Sequence, residues 1–495
     1  MTQADLLVVG AGSAGCILAS ELAYEYGFRV LLVEPESQAA PQADRLRPAR
    51  WLNLLGSDED WGLTTEPNSK LAKRKIRWPR GRGLGGCSRI NAMIWFPPTG
   101  RDFETLVSAS DGTLSETQLR HAYQKAESLV QPEPPRWLSD SGRAFIESVS
   151  GMANATPMIY QRVNRQGRRW NPASLLEPNE RQSNDGAIEV LRATVDQVLW
   201  DGDKAIGVRV TDQSTSMKLT ASRGVILAAG AIATPTILMR SGIGERDQLV
   251  KSKIDVRVDQ PFVGKNLQDH LLMPVILQTK FPSVFSAQSP SSDVARWQVI
   301  GAGPLTSNLA ECGGLFADDR FQIHVTPTNY LTYPKPHTDL NVMTLGVNLT
   351  QPNSCGEIEL GDRTATPKIH ARYFDDLSDL DAMVEGVQLA RSLTQRSPLC
   401  DSVECESLPG GKRDSKSGVA KSVARYAQTL YHPVGSCRLG SQSDSVVDVD
   451  FAVRGVEQLW VADASVLPRI TVGNPNAMVM TLAVMAADRI SLDPC

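Results

Sequence analysis

The chain has 495 residues, of which 41% are hydrophobic and 21% are charged, and its formal net charge is −4. This length suffices for a large core divided into two or more units, and the weakly acidic balance excludes the basic surface that nucleic acid or an anionic membrane requires. The apolar runs are short or broken by proline, so we predict no membrane span. The eight cysteines form no C-x-x-C pair and no cluster with histidine, so we predict no metal site. Because the first residues lead into a strand without a basic and apolar leader, we predict a cytoplasmic protein.

The first predicted elements are a strand, a glycine-rich turn, a helix and a second strand, in the stretch "LLVVGAGSAGCILASELAYEYGFRVLLVE". The turn comprises Gly10, Gly12, Ser13, Ala14 and Gly15. Its glycines have the spacing G-x-G-x-x-G, which permits a tight turn, a close approach of a pyrophosphate to the helix N-terminus, and close packing of helix on strand. Glu34 ends the second strand, where its carboxylate can accept both ribose hydroxyls and would repel the 2′-phosphate of NADP. The unit therefore predicts a dinucleotide site, without deciding between FAD and NAD.

Further motifs follow in chain order. They are "GRGLGGCSRINAMIWFPPTGRDFE" from residue 81, "GAIATPTILMRSGIG" from residue 230, "VGKNLQDH" ending at residue 270, "YHPVGSCRLG" from residue 431 and "LWVADASVLPRITVGNPNAMVMTLAVMAADRI" from residue 459. Together, and in this order, they resemble the glucose–methanol–choline (GMC) family of FAD-dependent alcohol oxidoreductases. The resemblance runs nearly from end to end, although residues 100–180 and 275–420 carry few family-specific positions.

The resemblance implies an α/β fold with a Rossmann-like FAD-binding domain and a discontinuous α+β substrate domain built on an antiparallel sheet. The FAD-binding domain is expected to comprise residues 1–100, 185–270 and 425–495, and the substrate-binding domain residues 101–184 and 271–424. The strand-like segments "AIEVLRATVDQVLW" and "AIGVRV" follow a stretch rich in proline, glutamine and asparagine, and "GEIELGDRTATPKIHARYF" is typical of two strands joined by a turn. Both patterns agree with this division.

The resemblance also implies which residues contact the cofactor. The turn "GGCSRIN" is expected to pass the flavin ring, with Asn91 and the backbone of Ala92 near flavin N5 and O4. Ile90 stands where some relatives carry a histidine covalently joined to the flavin, so we predict non-covalently bound FAD. The remaining expected contacts are Val195 on the adenine side, Asp463 and Ala464 near the pyrophosphate and ribityl chain, and Arg82, Gly86, Ser88, Asn474 and Pro475.

His432 is the predicted catalytic base. Alcohol oxidation by a flavin transfers a hydride from the α-carbon to flavin N5 and needs a group that removes the hydroxyl proton, for which a near-neutral imidazole is suited. The resemblance implies this role for His432, which is followed by Pro433 and Gly435, two residues that favour a rigid turn. Asn476 is the predicted hydrogen-bond partner of the substrate oxygen, while Asn474 is expected to cap the helix that follows. The N-terminus of this helix is expected to stabilise the negative charge of reduced flavin.

Three other residues carry interpretations that depend on context. His270 is the other histidine in a recognisable motif, and we expect it to position the edge of the FAD-binding domain rather than to take part in the chemistry. Tyr431 precedes the predicted base and is interpreted equally well as a pocket residue and as a packing residue. Glu311 stands where choline-oxidising relatives carry a carboxylate that can face a cationic substrate.

The leading hypothesis is FAD-dependent oxidation of a primary alcohol to an aldehyde, with aromatic and heteroaromatic alcohols as candidates and oxygen or another electron acceptor as the final oxidant. A hydroxynitrile lyase or another non-redox flavoprotein on the same scaffold is one alternative. Choline oxidation is a second, and a fatty-acid photodecarboxylase, which would need a hydrophobic tunnel, is a third. The sequence leaves the substrate, the electron acceptor and the oligomeric state open.

Overall fold

The computed structural model describes residues 4–37, 45–178, 186–212, 215–283, 290–332, 341–361 and 366–492. The α-helices described in full are α1 (Ser13–Tyr24), α2 (Gly100–Ala109), α3 (Glu116–Val130), α4 (Asp140–Val149), α5 (Gly230–Arg240), α6 (Arg246–Lys251), α7 (Ser291–Ile300), α8 (Leu377–Leu393), α9 (Lys416–Tyr426) and α10 (Asn476–Leu492). Turns of 3₁₀-helix cover Pro48–Leu54, Ser69–Leu71, Gly86–Arg89, Pro172–Leu176, Pro304–Thr306, Leu399–Asp401 and Ala464–Val466.

The strands of the two large sheets are β1 (Ala4–Val9), β2 (Arg29–Glu34), β3 (Ala155–Ile159), β4 (Ala187–Arg192), β5 (Thr194–Asp201), β6 (Lys204–Asp212), β7 (Thr215–Leu227), β8 (Leu271–Thr279), β9 (Cys312–Phe316), β10 (Phe321–Thr326), β11 (Val342–Leu349), β12 (Val403–Leu408), β13 (Gln428–Thr429) and β14 (Leu459–Val461). Short two-stranded ribbons pair Leu63–Thr64 with Arg77–Trp78, Ile94–Trp95 with Gln161–Arg162, Asn164–Arg165 with Arg168–Arg169, Ile243–Gly244 with Val258–Asp259, and Glu357–Glu359 with Lys368–His370.

The first large sheet contains the predicted dinucleotide turn. Its strand order is β4-β2-β1-β7-β6-β5, and β14 pairs with β7. β4, β2, β1, the end of β7 and β14 run parallel, and α1 provides the crossover between β1 and β2. The apolar runs of β1 and β2 are almost entirely buried, as expected for parallel strands covered on both faces. The predicted Rossmann-like α/β unit is therefore confirmed.

The long strand β7 joins the parallel part of this sheet to an antiparallel part. Its first part, residues 215–220, pairs antiparallel with β6. Its last part pairs in parallel with two strands: residues 224–227 with β1 on one side, and residues 225–227 with β14 on the other. Chain segments that lie more than two hundred residues apart thus become neighbours in one sheet. The carboxyl ends of β1, β7 and β14 consequently meet at the same edge.

The second large sheet is antiparallel, as the resemblance implied for the substrate side. Its order is β12-β8-β11-β10-β9-β3, and the short strand β13 also pairs with β8. Strands β8 to β11 are buried along almost their whole length. β8 begins directly after the "VGKNLQDH" motif, and β13 ends two residues before Tyr431. The sheet therefore borders the segments that hold the predicted base.

The closing helix α10 is a buried element that contacts α1 and α3. Twelve of its residues are buried, on all sides of the helix, so tertiary packing holds its N-terminus in place. Among the described residues, none of the helices is long and apolar enough to cross a membrane. Within the same ranges, no group of three or more His, Cys, Asp or Glu side chains is arranged to hold a metal ion.

Candidate active site

A cavity of about 520 Å³ lies at the carboxyl ends of the parallel strands, where open α/β sheets place ligands. From the strand ends it continues to His432 and to the first residues of α10. The predicted site residues that line it are Gly10, Gly12, Ser13, Ala14, Glu34, Gly86, Asn91, Ala92, Val195, His432, Asp463, Ala464, Asn474, Pro475 and Asn476. Three predicted residues are not part of this lining: Gly15 and Ser88 are buried beside the turn, and the guanidinium of Arg82 lies 4.9 Å from the Trp61 ring centroid.

The glycine turn leaves open space where a pyrophosphate would bind. A Cβ atom at Gly15 would lie 1.8 Å from the Gly10 carbonyl oxygen, so only glycine allows α1 to approach β1 this closely. A Cβ at Gly86 would lie 2.7 Å from Cα of Gly12, whereas a Cβ at Gly12 would meet no atom of the chain within 4 Å. Gly12 therefore faces unfilled space beside the N-terminus of α1, which suits an anionic group.

The carboxylate of Glu34 ties the two glycine-rich loops together. One oxygen accepts a hydrogen bond from the Ala11 N–H and the other from the Gly83 N–H, each at 2.8 Å. Burial raises the pKa of this carboxyl to about 7, while the two N–H donors act in the opposite direction. Each oxygen retains a lone pair for a further donor such as a ribose hydroxyl.

The loop from Gly86 to Ala92 is held by side chains that the sequence did not reveal as functional. Oδ1 of Asn91 accepts from Nη1 of the buried Arg169 at 3.0 Å, and the carbonyl oxygen of Ala92 accepts from Nδ2 of Asn308 at 2.6 Å. Burial lowers the pKa of Arg169 to about 9, which leaves the guanidinium charged at neutral pH. These contacts come from segments distant in sequence and fix the loop at the cavity.

Asp463 closes the opposite edge of the cavity at the end of β14. Its Oδ2 accepts from the Gly230 N–H at 2.7 Å and from the Thr234 hydroxyl at 2.6 Å, and its Oδ1 accepts from the Ser465 N–H at 2.7 Å. The side chain thus joins β14 to the N-terminus of α5. Oδ2 accepts two of these bonds and Oδ1 accepts one, so Oδ1 retains a lone pair for a further donor.

Two of the motifs pair directly with each other. Residues 264–270 of "VGKNLQDH" run antiparallel to residues 430–436, with backbone hydrogen bonds between Gly264 and Ser436, between Gln268 and Val434 in both directions, and from Leu430 to His270. The paired residues are at least 160 positions apart in sequence, so local patterns carry no sign of the pairing. It brings the side chains of residues 269 and 270 next to His432.

The rings of His270 and His432 form a hydrogen-bonded pair whose protons can be assigned. Nδ2 of Asn474 can only donate, so Nε2 of His432, at 3.1 Å, is the acceptor and the ring proton is on Nδ1. That Nδ1–H donates to Nδ1 of His270 at 3.0 Å, and Nε2–H of His270 donates to the Thr350 carbonyl oxygen at 2.7 Å. Burial lowers the pKa of His270 to about 4 and that of His432 well below 6.5. Both rings are therefore neutral at pH 7, and Nε2 of His432 is an unprotonated base.

Asp269 holds the backbone of the base. Its Oδ1 accepts from the His432 N–H at 2.7 Å, and its Oδ2 accepts from the hydroxyls of Thr429 (2.6 Å) and Tyr373. Burial raises the pKa of this carboxyl, and the three donors counteract that rise. Tyr431, which carries a positive φ of 68°, is kept in the turn by a hydrogen bond from Arg80 to its carbonyl oxygen.

The prediction that Asn474 of "GNPNAM" caps the following helix is wrong. Asn474 does not cap α10, which begins at Asn476; its amide instead donates to His432 and accepts from Nε2 of Gln322 at 3.5 Å. Asn476 lies in the first turn of α10, and its buried Nδ2 has no hydrogen-bond partner among the described residues.

Comparisons with known proteins decide the family. The family model of GMC oxidoreductases matches residues 141–272 with its N-terminal part and residues 352–483 with its C-terminal part. The chain belongs to the GMC oxidoreductase family. It is 32% identical to an uncharacterised GMC-type oxidoreductase of Mycobacterium tuberculosis, over 99% of both chains. It is 31% identical to an alcohol dehydrogenase (acceptor) of Pseudomonas putida, over 98% of this chain and 95% of the relative. Pyridoxine 4-oxidase from Mesorbium loti has a structure with a TM-score of 0.84, 25% identity and 98% of both chains covered.

GMC oxidoreductases are FAD-dependent enzymes acting on CH–OH donors, and the cavity of this GMC oxidoreductase fits that cofactor. The open space beside Gly12 suits the pyrophosphate, and the carboxylate of Glu34 suits the ribose. Asn476 lines the same cavity, and its Nδ2 has no partner among the described residues, so an acceptor on a bound ligand can complete its hydrogen bonding.

Glu311 does not line the cavity of this GMC oxidoreductase. Its Oε2 accepts from the backbone N–H and the hydroxyl of Ser139 at 2.9 and 2.6 Å, and its Oε1 accepts from the Ser307 hydroxyl at 2.5 Å. The side chain is fully buried by these partners, and the neighbouring Ala310 faces the cavity in its place. Tyr431 does line the cavity, and its hydroxyl lies 3.4 Å from that of Tyr330.

Proposed function

We propose that this GMC oxidoreductase oxidises a neutral primary alcohol, aromatic or heteroaromatic, to the aldehyde with non-covalently bound FAD. The observation that carries the proposal is the unprotonated Nε2 of His432, which lines the same cavity as the dinucleotide turn and lies beside the amide of Asn474. FAD, when bound, supplies the acceptor for the hydride that leaves the α-carbon.

His432 and Asn474 together would bind and activate the substrate hydroxyl. The alcohol oxygen accepts from Nδ2 of Asn474, and its O–H donates to Nε2 of His432, so the hydroxyl replaces the direct contact between the two side chains. As the α-carbon loses its hydride, the hydroxyl proton passes to Nε2 of His432. The imidazolium then keeps its Nδ1–H hydrogen bond to His270, which strengthens when the donor is charged.

Asn476 is assigned here to the cofactor rather than to the substrate oxygen. Its Nδ2 is an unpaired buried donor at the start of α10, whose first N–H groups also lack acceptors within the helix. These donors and the helix dipole would favour negative charge on the reduced flavin. Ile90 lines the cavity with a buried apolar side chain that offers no atom for a covalent bond to the flavin, which supports non-covalent binding.

A cationic substrate is disfavoured by the positions of the acidic groups that line the cavity. Among the described residues, the acidic side chains of the lining are Glu34 and Asp463, and both belong to the strand ends of the parallel sheet. The carboxylate of Glu311 is occupied by Ser139 and Ser307. A quaternary ammonium such as that of choline would therefore lack a counter-charge near His432.

Anaerobic mixing of the FAD-loaded protein with a panel of alcohols tests the proposal. Benzyl alcohol, pyridylmethanols, hydroxybenzyl alcohols, primary alkanols and choline are compared by the loss of oxidised-flavin absorbance. We expect the aromatic alcohols to reduce the flavin fastest and choline to be slow. Absence of reduction by every alcohol would contradict the proposal and favour a lyase, and fastest reduction by choline would contradict a neutral substrate. Mixing the reduced enzyme with oxygen then shows whether oxygen is an effective acceptor.

A further inference from the structure

The antiparallel sheet contributes one wall of the cavity. His324 and Thr326 on β10 and Thr344 and Gly346 on β11 lie on one face, because His324 pairs with Gly346 and Thr326 with Thr344 across the two strands. All four residues line the cavity that also contains His432 and Asn474. This wall therefore faces the space in which the substrate of the proposed reaction would lie.

His324 is the polar side chain of this wall whose hydrogen bonding is incomplete. The residue is 3% exposed, and neither Nδ1 nor Nε2 of its ring has a hydrogen-bond partner among the described residues. A buried polar group without a partner costs free energy that the fold does not recover. Burial lowers the pKa of His324 to about 3, with His270 adding to the effect, so the ring is neutral and carries one donor and one acceptor.

We propose that His324 is a substrate-binding residue, whose imidazole forms a subsite for a hydroxyl group or ring nitrogen on a neutral aromatic alcohol. The inference rests on the proposed function and specifies its substrate class. A group of this kind offers the hydrogen bond that the imidazole lacks, because a neutral imidazole can donate to a ring nitrogen and can both donate to and accept from a hydroxyl.

The surroundings of His324 favour an aromatic ligand over an aliphatic one. Tyr160 packs beside the imidazole with ring centroids 5.4 Å apart, and Tyr330, Tyr431 and Trp51 line the same cavity. Flat, mostly apolar walls with few hydrogen-bonding groups are typical of pockets that bind planar molecules. A ring held between them would present its alcohol to His432 and its second polar group to His324.

The test separates the subsite from turnover by measuring binding as well as reduction. Dissociation constants for phenol, pyridine and toluene, which carry no oxidisable alcohol, are obtained from the perturbation of the bound-flavin spectrum. We expect phenol or pyridine to bind about 5- to 150-fold more tightly than toluene, the range for one hydrogen bond to a buried polar group. Hydroxybenzyl alcohol or a pyridylmethanol should exceed benzyl alcohol in the second-order rate constant for flavin reduction by a similar factor.

Two variants identify His324 as the source of this preference. His324→Phe keeps a planar ring and removes both nitrogens, so it should abolish the preference for ligands with a second polar group. His324→Gln retains a donor and an acceptor and should keep part of the preference, which remains measurable if the phenylalanine variant does not fold. A preference unchanged in His324→Phe, or an equal loss for polar and apolar ligands, would overturn the inference.

The outcomes also distinguish this inference from the proposed function. If phenol binds more tightly than toluene and the preference depends on His324, but no alcohol reduces the flavin, the subsite is supported and alcohol oxidation is contradicted. If alcohols reduce the flavin without any preference for a second polar group, alcohol oxidation is supported and the subsite is contradicted.

Discussion

Substitution of His270 tests whether the proton arrangement of the histidine pair supports catalysis. In His270→Leu, the Nδ1–H of His432 loses its acceptor in a buried setting, and nothing fixes the ring proton on Nδ1 any longer. An unpaired buried donor costs about 1–3 kcal/mol, and each 1.36 kcal/mol is a factor of about ten in rate. We therefore expect flavin reduction to slow by about 5- to 150-fold, because the hydrogen bond to His270 also strengthens as His432 gains its proton.

Two amide variants separate the hydrogen bond to His432 from the hydrogen bond to Thr350. In His270→Asn, an amide oxygen near the position of Nδ1 can still accept from His432, while the donor to Thr350 is lost. In His270→Gln, an amide nitrogen near the position of Nε2 can donate to Thr350, while the acceptor for His432 is lost. We expect the asparagine variant to approach wild type and the glutamine variant to resemble His270→Leu.

The assay is anaerobic stopped-flow reduction at saturating alcohol, with FAD content and thermal unfolding measured for each variant. Equal slowing in the asparagine and glutamine variants would mean that His270 only fills space. A wild-type rate in His270→Leu would refute the role assigned to the pair.

Three further predictions concern the base, the carboxylate and the glycine turn. The rate of flavin reduction should stay constant as pH falls to 6.5 and decline only at lower pH. Burial lowers the pKa of His432, and proton uptake by this ring removes the base. A rate that falls to half its maximum at pH 6.5 or above would contradict this prediction. Glu34→Gln should weaken FAD binding by about 5- to 150-fold, because the amide NH2 replaces an acceptor and leaves the N–H of Ala11 or Gly83 without its partner. The matched change at exposed Glu36 should leave the dissociation constant unchanged. Gly12→Ala should weaken FAD binding and leave the unfolding temperature of the apoprotein unchanged, because its Cβ meets only open space. Gly15→Ala should lower the unfolding temperature, because its Cβ would lie 1.8 Å from the Gly10 carbonyl oxygen. Equal unfolding temperatures for the two alanine variants would contradict this difference.

The parts of the molecule that the sequence predicted well are those determined by neighbouring residues. The turn from Gly10 to Gly15, with a strand before it and a helix after it, follows from local geometry, and it lies where the motif indicated. The antiparallel substrate sheet was predicted from the family resemblance rather than from the residues themselves.

The parts that the sequence missed depend on contacts between distant segments. His270 was recognised in its motif, but its contact with His432 arises from the pairing of residues 264–270 with residues 430–436. The direction of the Glu311 side chain is decided by Ser139, 172 residues away in sequence, together with the nearby Ser307. In "NPN", either asparagine is a reasonable helix cap, and only the tertiary position of α10 brings Asn474 to the base.

Single-turnover reduction of the flavin in His432→Ala shows whether His432 acts as the base. The variant is loaded with FAD and mixed anaerobically with the best alcohol of the panel, beside wild type and the control His121→Ala, which changes an exposed histidine on α3. With His432 as the base, reduction should be about 10²- to 10⁴-fold slower in His432→Ala at unchanged FAD content, and unaffected in the control. Undiminished reduction in His432→Ala would contradict the assignment of His432 as the base of an alcohol oxidation.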